Sequence, residues 1–302
     1  MRLKRILTIS AIALILTAIS VWMGQVSYSW FPPQASAEAI LIDNLFSLLT
    51  AIGTFIFLGV TVAIIYNILF NRAGRYDTSD GPPIEGNVKL EIVWTAIPLL
   101  IVFGIAAFSY QTYDQMDLHG PTEIAHLPQI IDSAYADTEA QTAEPMTNVE
   151  VDSKQWAWVF HYPEKNVTSS ELHLPVDQRA HFRLRSQDVI HGFYIPAFRV
   201  KQDIIPPKTF DFEFTPIRIG TYRLRDSQYS GTYFAAMQTN VVVESPEDYD
   251  RWLNKAAKQI PSAAPNQAAS EYARREQKAD TAVWETVVPA PSPMVNFHSE
   301  SS

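Results

Sequence analysis

Three long runs without a charged residue dominate the first third of the chain: residues 6–24, 45–70 and 92–110. At the rise of an α-helix, about 19 residues span about 28 Å, close to the hydrocarbon thickness of a bilayer. Runs of this kind, separated by charged punctuation, predict membrane helices over 40–70 and 88–111. The first run has two readings. Arg2, Lys4 and Arg5 precede it as the positive end of a secretory leader would, and Ala35-Ser36-Ala37 is an A-x-A cleavage pattern, although one well beyond the end of the run. Residues 1–37 are therefore expected to be a signal peptide or an extra membrane helix.

The pattern changes near Met146. Alternating or apolar runs bounded by turn residues predict the strands of a sandwich or Greek-key barrel over 146–245. Ser245 followed by Pro246, with Trp252, Leu253 and Ala256 on one side, predicts a short helix within 246–260. Residues 261–302, rich in Ala, Pro and Ser, are expected to be a flexible tail.

Charge sets the orientation. Residues 71–90 hold Arg72, Arg75 and Lys89, whereas residues 24–44 and 111–150 hold no Lys or Arg. The positive-inside rule then places the N-terminus and the 71–90 loop in the cytoplasm and everything after Tyr110 outside. The 112–145 stretch is acidic and reads as a solvated linker. The whole chain of 302 residues carries a formal charge of −9, which argues against nucleic acid as a partner. It has no cysteine, so disulfides, iron–sulfur clusters and any thiolate-bridged metal centre are excluded. It also lacks the G-x-S-x-G elbow, the P-loop, the Rossmann glycine fingerprint and H-E-x-x-H.

Four blocks of sequence, in order behind the paired helices, carry a family resemblance. They are Leu90-Glu91-Ile92-Val93-Trp94-Thr95-Ala96-Ile97-Pro98; Gln155-Trp156-Ala157-Trp158; Asp188-Val189-Ile190-His191-Gly192-Phe193 with Lys201-Gln202-Asp203; and Asp226-Ser227-Gln228-Tyr229-Ser230-Gly231-Thr232 with Met237 and Ser245-Pro246-Glu247-Asp248-Tyr249. The chain resembles subunit II of the haem–copper terminal oxidases from about Ile40 to Leu253. The resemblance implies a membrane-anchored all-β protein: two membrane helices, or three with the first run, followed by a cupredoxin-like Greek-key β-barrel.

In that family the barrel usually carries CuA, a dinuclear copper centre held by a loop C-x-E-x-C-x3-H-x2-M and one earlier His. On this sequence the earlier His is His191. Asp226 and Ser230 stand at the two Cys positions, Gln228 at the Glu, Phe234 at the His and Met237 at the Met. Only His191 and Met237 keep ligand chemistry, and soft copper sites depend on thiolate and imidazole. The resemblance therefore implies a variant without CuA and without any metal or cofactor in this chain, as in quinol oxidases and cyanobacterial alternative respiratory terminal oxidases. Haem and copper are expected in subunit I.

The same resemblance gives Glu91 as the entrance of a proton pathway and Trp156 as the aromatic position for electron entry. Plainer readings stand beside these: Glu91 as a first-turn carboxylate on the helix dipole, Trp156 as sheet packing. The implied function is scaffold and proton entry in an oxidase that reduces O2 and translocates protons, with no catalytic group here. Subunits I and III, membrane lipid, and a quinol or soluble donor are the implied partners. The implied place is a bacterial cytoplasmic or thylakoid membrane, with the C-terminal domain periplasmic or lumenal. The alternatives are a subunit still serving a soluble donor, helped by the acidic linker, and a non-catalytic assembly or copper-binding module.

Overall fold

The structure, a computed structural model, describes residues 2–72, 74, 76, 86–116, 146–277 and 286–299. It contains two compact units. The first is helical. Helices α1 (Arg2–Ser27), α2 (Ala37–Phe70) and α3 (Val88–Gln115) are each long and apolar enough to cross a membrane. Their lipid-facing side chains need no polar partner, and the helical backbone satisfies itself, which is why uncharged runs settle as helices in hydrocarbon. Helix α3 starts where Asn87 accepts the Leu90 N–H at 3.2 Å. Helices α1 and α2 approach closely at Gly24: Ser47 Oγ donates to its carbonyl at 2.8 Å, and a Cβ there would lie 2.9 Å from Ser47 O. Small residues allow such a crossing. Of the acidic linker expected over 112–145, residues 117–145 lie outside the described residues.

The second unit is the β domain. Its strands are β1 (Met146–Lys154), β2 (Ala157–Tyr162), β3 (Val167–Ser169), β4 (Leu172–Pro175), β5 (Arg179–Ser186), β6 (His191–Ile195), β7 (Val200–Ile204), β8 (Thr209–Phe214), β9 (Gly220–Asp226) and β10 (Gln238–Glu244). They form two five-stranded sheets, β3-β2-β1-β5-β8 and β4-β10-β9-β6-β7. The β1–β5 and β4–β10 pairs are parallel and the rest antiparallel. On β1 and β5 buried and more exposed residues alternate, so Val149, Val151, Phe182 and Leu184 enter one core shared with Phe193, Leu224 and Val241 of the other sheet.

Residues 32–40 belong to the β domain as a strap. Ala35 N donates to Ala197 O at 3.0 Å, Ile217 N to Ala35 O at 2.9 Å and Ala37 N to Thr215 O at 3.0 Å. Ala35 and Ser36 are fully buried, so the A-x-A pattern is here a packed extension of the sandwich.

Helix α4 (Pro246–Ala256) begins at Ser245, whose Oγ accepts the Asp248 N–H at 3.2 Å, and buries Tyr249, Trp252, Leu253 and Ala256. Beyond it, within the 261–302 stretch read as a flexible tail, the described residues include regular elements. Strand β11 (Ser262–Ala263) pairs with β12 (Met294–Val295), helix α5 (Gln267–Gln277) lies between them in sequence, and Ala264, Ala268 and Val295 are buried. Asn296 and Phe297 then line the free edge of β3. Asn296 N donates to Thr168 O at 2.9 Å and Ser170 N to Phe297 O at 3.2 Å. An open sheet edge is thereby covered.

Candidate functional site

The end of strand β9, the loop after it and the start of β6 bring three of the predicted positions, His191, Asp226 and Ser230, into one network. His191 opens β6 and is wholly buried. Asp226 closes β9, and its side chain is also wholly buried. Asp226 Oδ2 meets His191 Nδ1 at 2.7 Å and accepts from Ser230 Oγ at 2.7 Å. Its Oδ1 accepts the Gly192 N–H at 2.7 Å and the Gln228 N–H at 3.0 Å. All four acceptor positions of the carboxylate are thus filled. On the far side of the imidazole, Nε2 meets Asp188 Oδ1 at 3.1 Å. Asp188 in turn accepts from Gln155 N at 2.8 Å through Oδ2. The result is a closed polar network, Asp188–His191–Asp226–Ser230, inside an aromatic shell that includes Trp158 edge-on to His191 at 6.1 Å. Buried polar groups are tolerated at low cost only when satisfied in this way.

The remaining positions do other work. Gln228 turns away from the network, and its Nε2 donates to Asp203 Oδ2 at 2.7 Å. Met237 is buried in the core. Its backbone carbonyl, not its sulfur, ties the loop, accepting Asp226 N at 2.9 Å and Trp158 Nε1 at 3.3 Å. Phe234 packs on the core's margin, edge-on to Tyr229 at 5.3 Å. Trp156 lies beside the network: its Nε1 donates to Ser230 O at 3.1 Å and it is only 2% exposed. Gly231 sits under the indole at φ +113, and a Cβ there would lie 2.8 Å from Trp156 Cζ2. Both facts reserve the position for glycine. Glu91 belongs to the helical unit, exposed in the first turn of α3, where the helix dipole favours a carboxylate.

The residues do not suit a dinuclear copper centre. No sulfur bridge is present, and the one imidazole has a carboxylate at each nitrogen. Sequence reasoning missed Asp188 as a partner of His191 and Gln155 as the residue that anchors Asp188. The signal for the first was the Asp188-x-x-His191 spacing; a backbone donor such as Gln155 N leaves none.

The transmembrane domain of cytochrome c oxidase subunit II matches residues 11–112, and its periplasmic domain matches residues 166–245. Cytochrome c oxidase subunit 2 of Synechocystis sp. is 35% identical over 267 residues, covering 80% of each chain. The subunit of the same name from Thermostichus vulcanus is 35% identical over 270 residues, 79% of this chain and 81% of that one. Quinol oxidase subunit 2 of Bacillus subtilis is 27% identical over 219 residues, 71% of this chain and 63% of that one. Membrane helices, a β domain with the loop described above and this agreement in sequence lead to one conclusion: the chain belongs to the subunit II family of the haem–copper terminal oxidases, a membrane-spanning subunit with a periplasmic domain that works beside subunit I in an oxidoreductase complex.

Proposed function

We propose that this subunit II works without CuA, as the scaffold and proton-entry subunit of a quinol-type or alternative terminal oxidase. The observation that carries the reading is the buried Asp188–His191–Asp226–Ser230 network, in which hydrogen bonds hold the loop that metal–sulfur bonds would otherwise hold. An oxygen-rich, thiolate-free set has little affinity for Cu(I), and a hydroxyl at Ser230 is a poor bridge between two metals. Haem and copper then reside in subunit I, which also takes the quinol. Subunit III and membrane lipid complete the assembly.

Metal analysis and donor assays on the purified complex test this reading. The expected result is copper at the level of subunit I alone and turnover with quinol. Two coppers in the β domain with a mixed-valence spectrum, or rapid oxidation of reduced cytochrome c with quinol ignored, sinks it. A second reading, direct service of a soluble donor, is favoured by the higher identity to subunits named for cytochrome c oxidase than to those named for quinol oxidase.

For Glu91 the proposal is a proton entrance at the mouth of α3. Glu91→Gln keeps the side chain's size and removes its charge. Turnover is expected to fall by about ten-fold, with the assembled complex still recovered in normal yield. Unchanged turnover and proton uptake reduce Glu91 to a helix-dipole residue.

A further inference from the structure

The C-terminal arm also reaches the loop end of the β domain. Ala290 N donates to the Gln155 carbonyl at 2.6 Å, next to Trp156. Thr286 Oγ1 donates to Thr232 Oγ1 at 2.7 Å, on the loop that passes under the same indole. From α5, Tyr272 lies edge-on to Tyr233 at 6.5 Å, and Tyr233 lies edge-on to Trp156 at 5.2 Å. The two parts of the arm are tied to each other. Asn266 accepts the Ala269 N–H at 3.2 Å at the start of α5, and its Nδ2 donates to Ala290 O at 3.3 Å. Ala268 is fully buried. Beneath these contacts Trp156 has almost no exposed surface.

A folded redox carrier docks through a patch of up to about 600 Å² on each partner, and it must bring its own redox group close to the receiving ring. An arm fixed by hydrogen bonds to Gln155 and Thr232 and by the edge-on Tyr272–Tyr233 contact stands beside that ring, where a carrier would approach. We propose that α5 and residues 286–290 form a built-in cap on the loop end, which closes the surface around Trp156 to a small basic redox protein while the arm is docked. The donor role of that surface comes from the position of Trp156 in the resemblance and not from the copper-free reading; the cap is argued from the arm's contacts with Gln155, Thr232 and Tyr233.

Hydroxyl-radical labelling of the purified complex tests it, with oxidation of Trp156 and Trp158 quantified by mass spectrometry. Trp158, buried between the sheets, is the internal standard. In the unmodified complex the two residues are expected to label alike. In the double variant Tyr272→Ala/Ala290→Pro, Trp156 oxidation is expected to rise about five-fold with Trp158 unchanged, as for a local opening. A basic c-type cytochrome at low salt is then expected to bind the variant and to restore protection at Trp156, while leaving the unmodified complex alone.

If the double variant also raises Trp158, Ala290→Pro alone decides, because it removes one donor and lies between two prolines already. A selective rise at Trp156 upholds the cap. Trp156 labelling well above Trp158 in the unmodified complex overturns it. So does a variant that leaves Trp156 protected, or binding of the cytochrome to the unmodified complex at this ring. Copper content measured on the same preparation reports separately on the copper-free reading and leaves the labelling result intact.

Discussion

His191 and His173 are both buried imidazoles in one β domain, and each lies between two carboxylates. They are built in opposite ways. At His191 both ring nitrogens reach a carboxylate oxygen, at 2.7 and 3.1 Å, and each carboxylate is held by further donors. At His173 only Nδ1 has a partner, Glu244 at 3.2 Å; Nε2 has no hydrogen bond and stands 3.9 Å from Glu171. His173 is instead held by its face, stacked on Trp252 at 3.9 Å with Phe297 edge-on at 5.2 Å. One histidine is fixed by polar bonds and the other by aromatic packing. A site closed by polar bonds has to be complete, because any donor left over is a buried orphan. A packed ring tolerates one free nitrogen.

The difference is broken most sharply at Asp226. Asp226→Ala strands four donors at once: His191 Nδ1, Ser230 Oγ, and the amides of Gly192 and Gln228. Removing one member of a buried charged network costs about 3–5 kcal/mol. Urea unfolding of the full chain in detergent, followed by tryptophan fluorescence, is expected to show that loss. His191→Phe leaves Asp226 and Asp188 facing a hydrocarbon ring and is expected to approach the same cost. A loss below about 1 kcal/mol for either variant means that the network is not what holds the loop.

The two sites were not equally legible in the sequence. The uncharged runs announced the helices because hydrocarbon admits little else. The turn-bounded apolar runs announced the sandwich, and Ser245-Pro246 announced α4. His191 was visible as a kept ligand position and Asp226 as an altered one, but their bonding was not, since Asp226 draws its partners from residues 191, 192, 228 and 230. The arm was missed for a related reason. Its composition is that of a disordered tail, and many of its anchors are backbone groups: Ala290 N on Gln155 O, Asn296 N on Thr168 O, Phe297 O on Ser170 N. Backbone hydrogen bonds leave no trace in residue type. The strap at residues 32–40 was similarly disguised. Ala35 is small because it is packed, and small residues also compose a leader-cleavage motif.

High pH separates the two histidine sites by a smaller amount. The Tyr162 hydroxyl accepts from His173 N at 2.7 Å and donates to His173 O at 3.1 Å. Burial, with the nearby Tyr249 adding to it, pushes the Tyr162 phenol well above its usual range. Burial raises Tyr249 in the same direction, helped by Glu164 and Asp250. Both phenols stay protonated in the fold at a pH where the unfolded chain begins to release them, near pH 10. The stability they carry is therefore complete below about pH 10 and is lost above it, by about 1.4 kcal/mol per pH unit for each tyrosine. Near-UV circular dichroism across that range is expected to report loosening on the His173 side before the His191 side. Hydrogen exchange at Thr168 and Ser170, the amides beside the arm, gives the same order by a second route. Simultaneous loss at both sites removes the distinction.

The smallest effect belongs to His173→Phe. Phenylalanine keeps the face that stacks on Trp252 and the edge that meets Phe297, in a ring one atom larger than the imidazole. The substitution deletes one hydrogen bond, to Glu244, whose side chain is partly exposed and can turn to water. It also deletes a nitrogen that already lacks a partner. A lost bond of about 1 kcal/mol is set against relief of an unpaired polar atom, so the net change is expected to stay within about 1 kcal/mol of zero. The same change at His191 is expected to cost several times more, although both residues are buried histidines flanked by acids. If urea midpoints put His173→Phe on a level with His191→Phe, packing does not hold the first ring. The orphan nitrogen must then have a bonded role, and the contrast between the two sites fails.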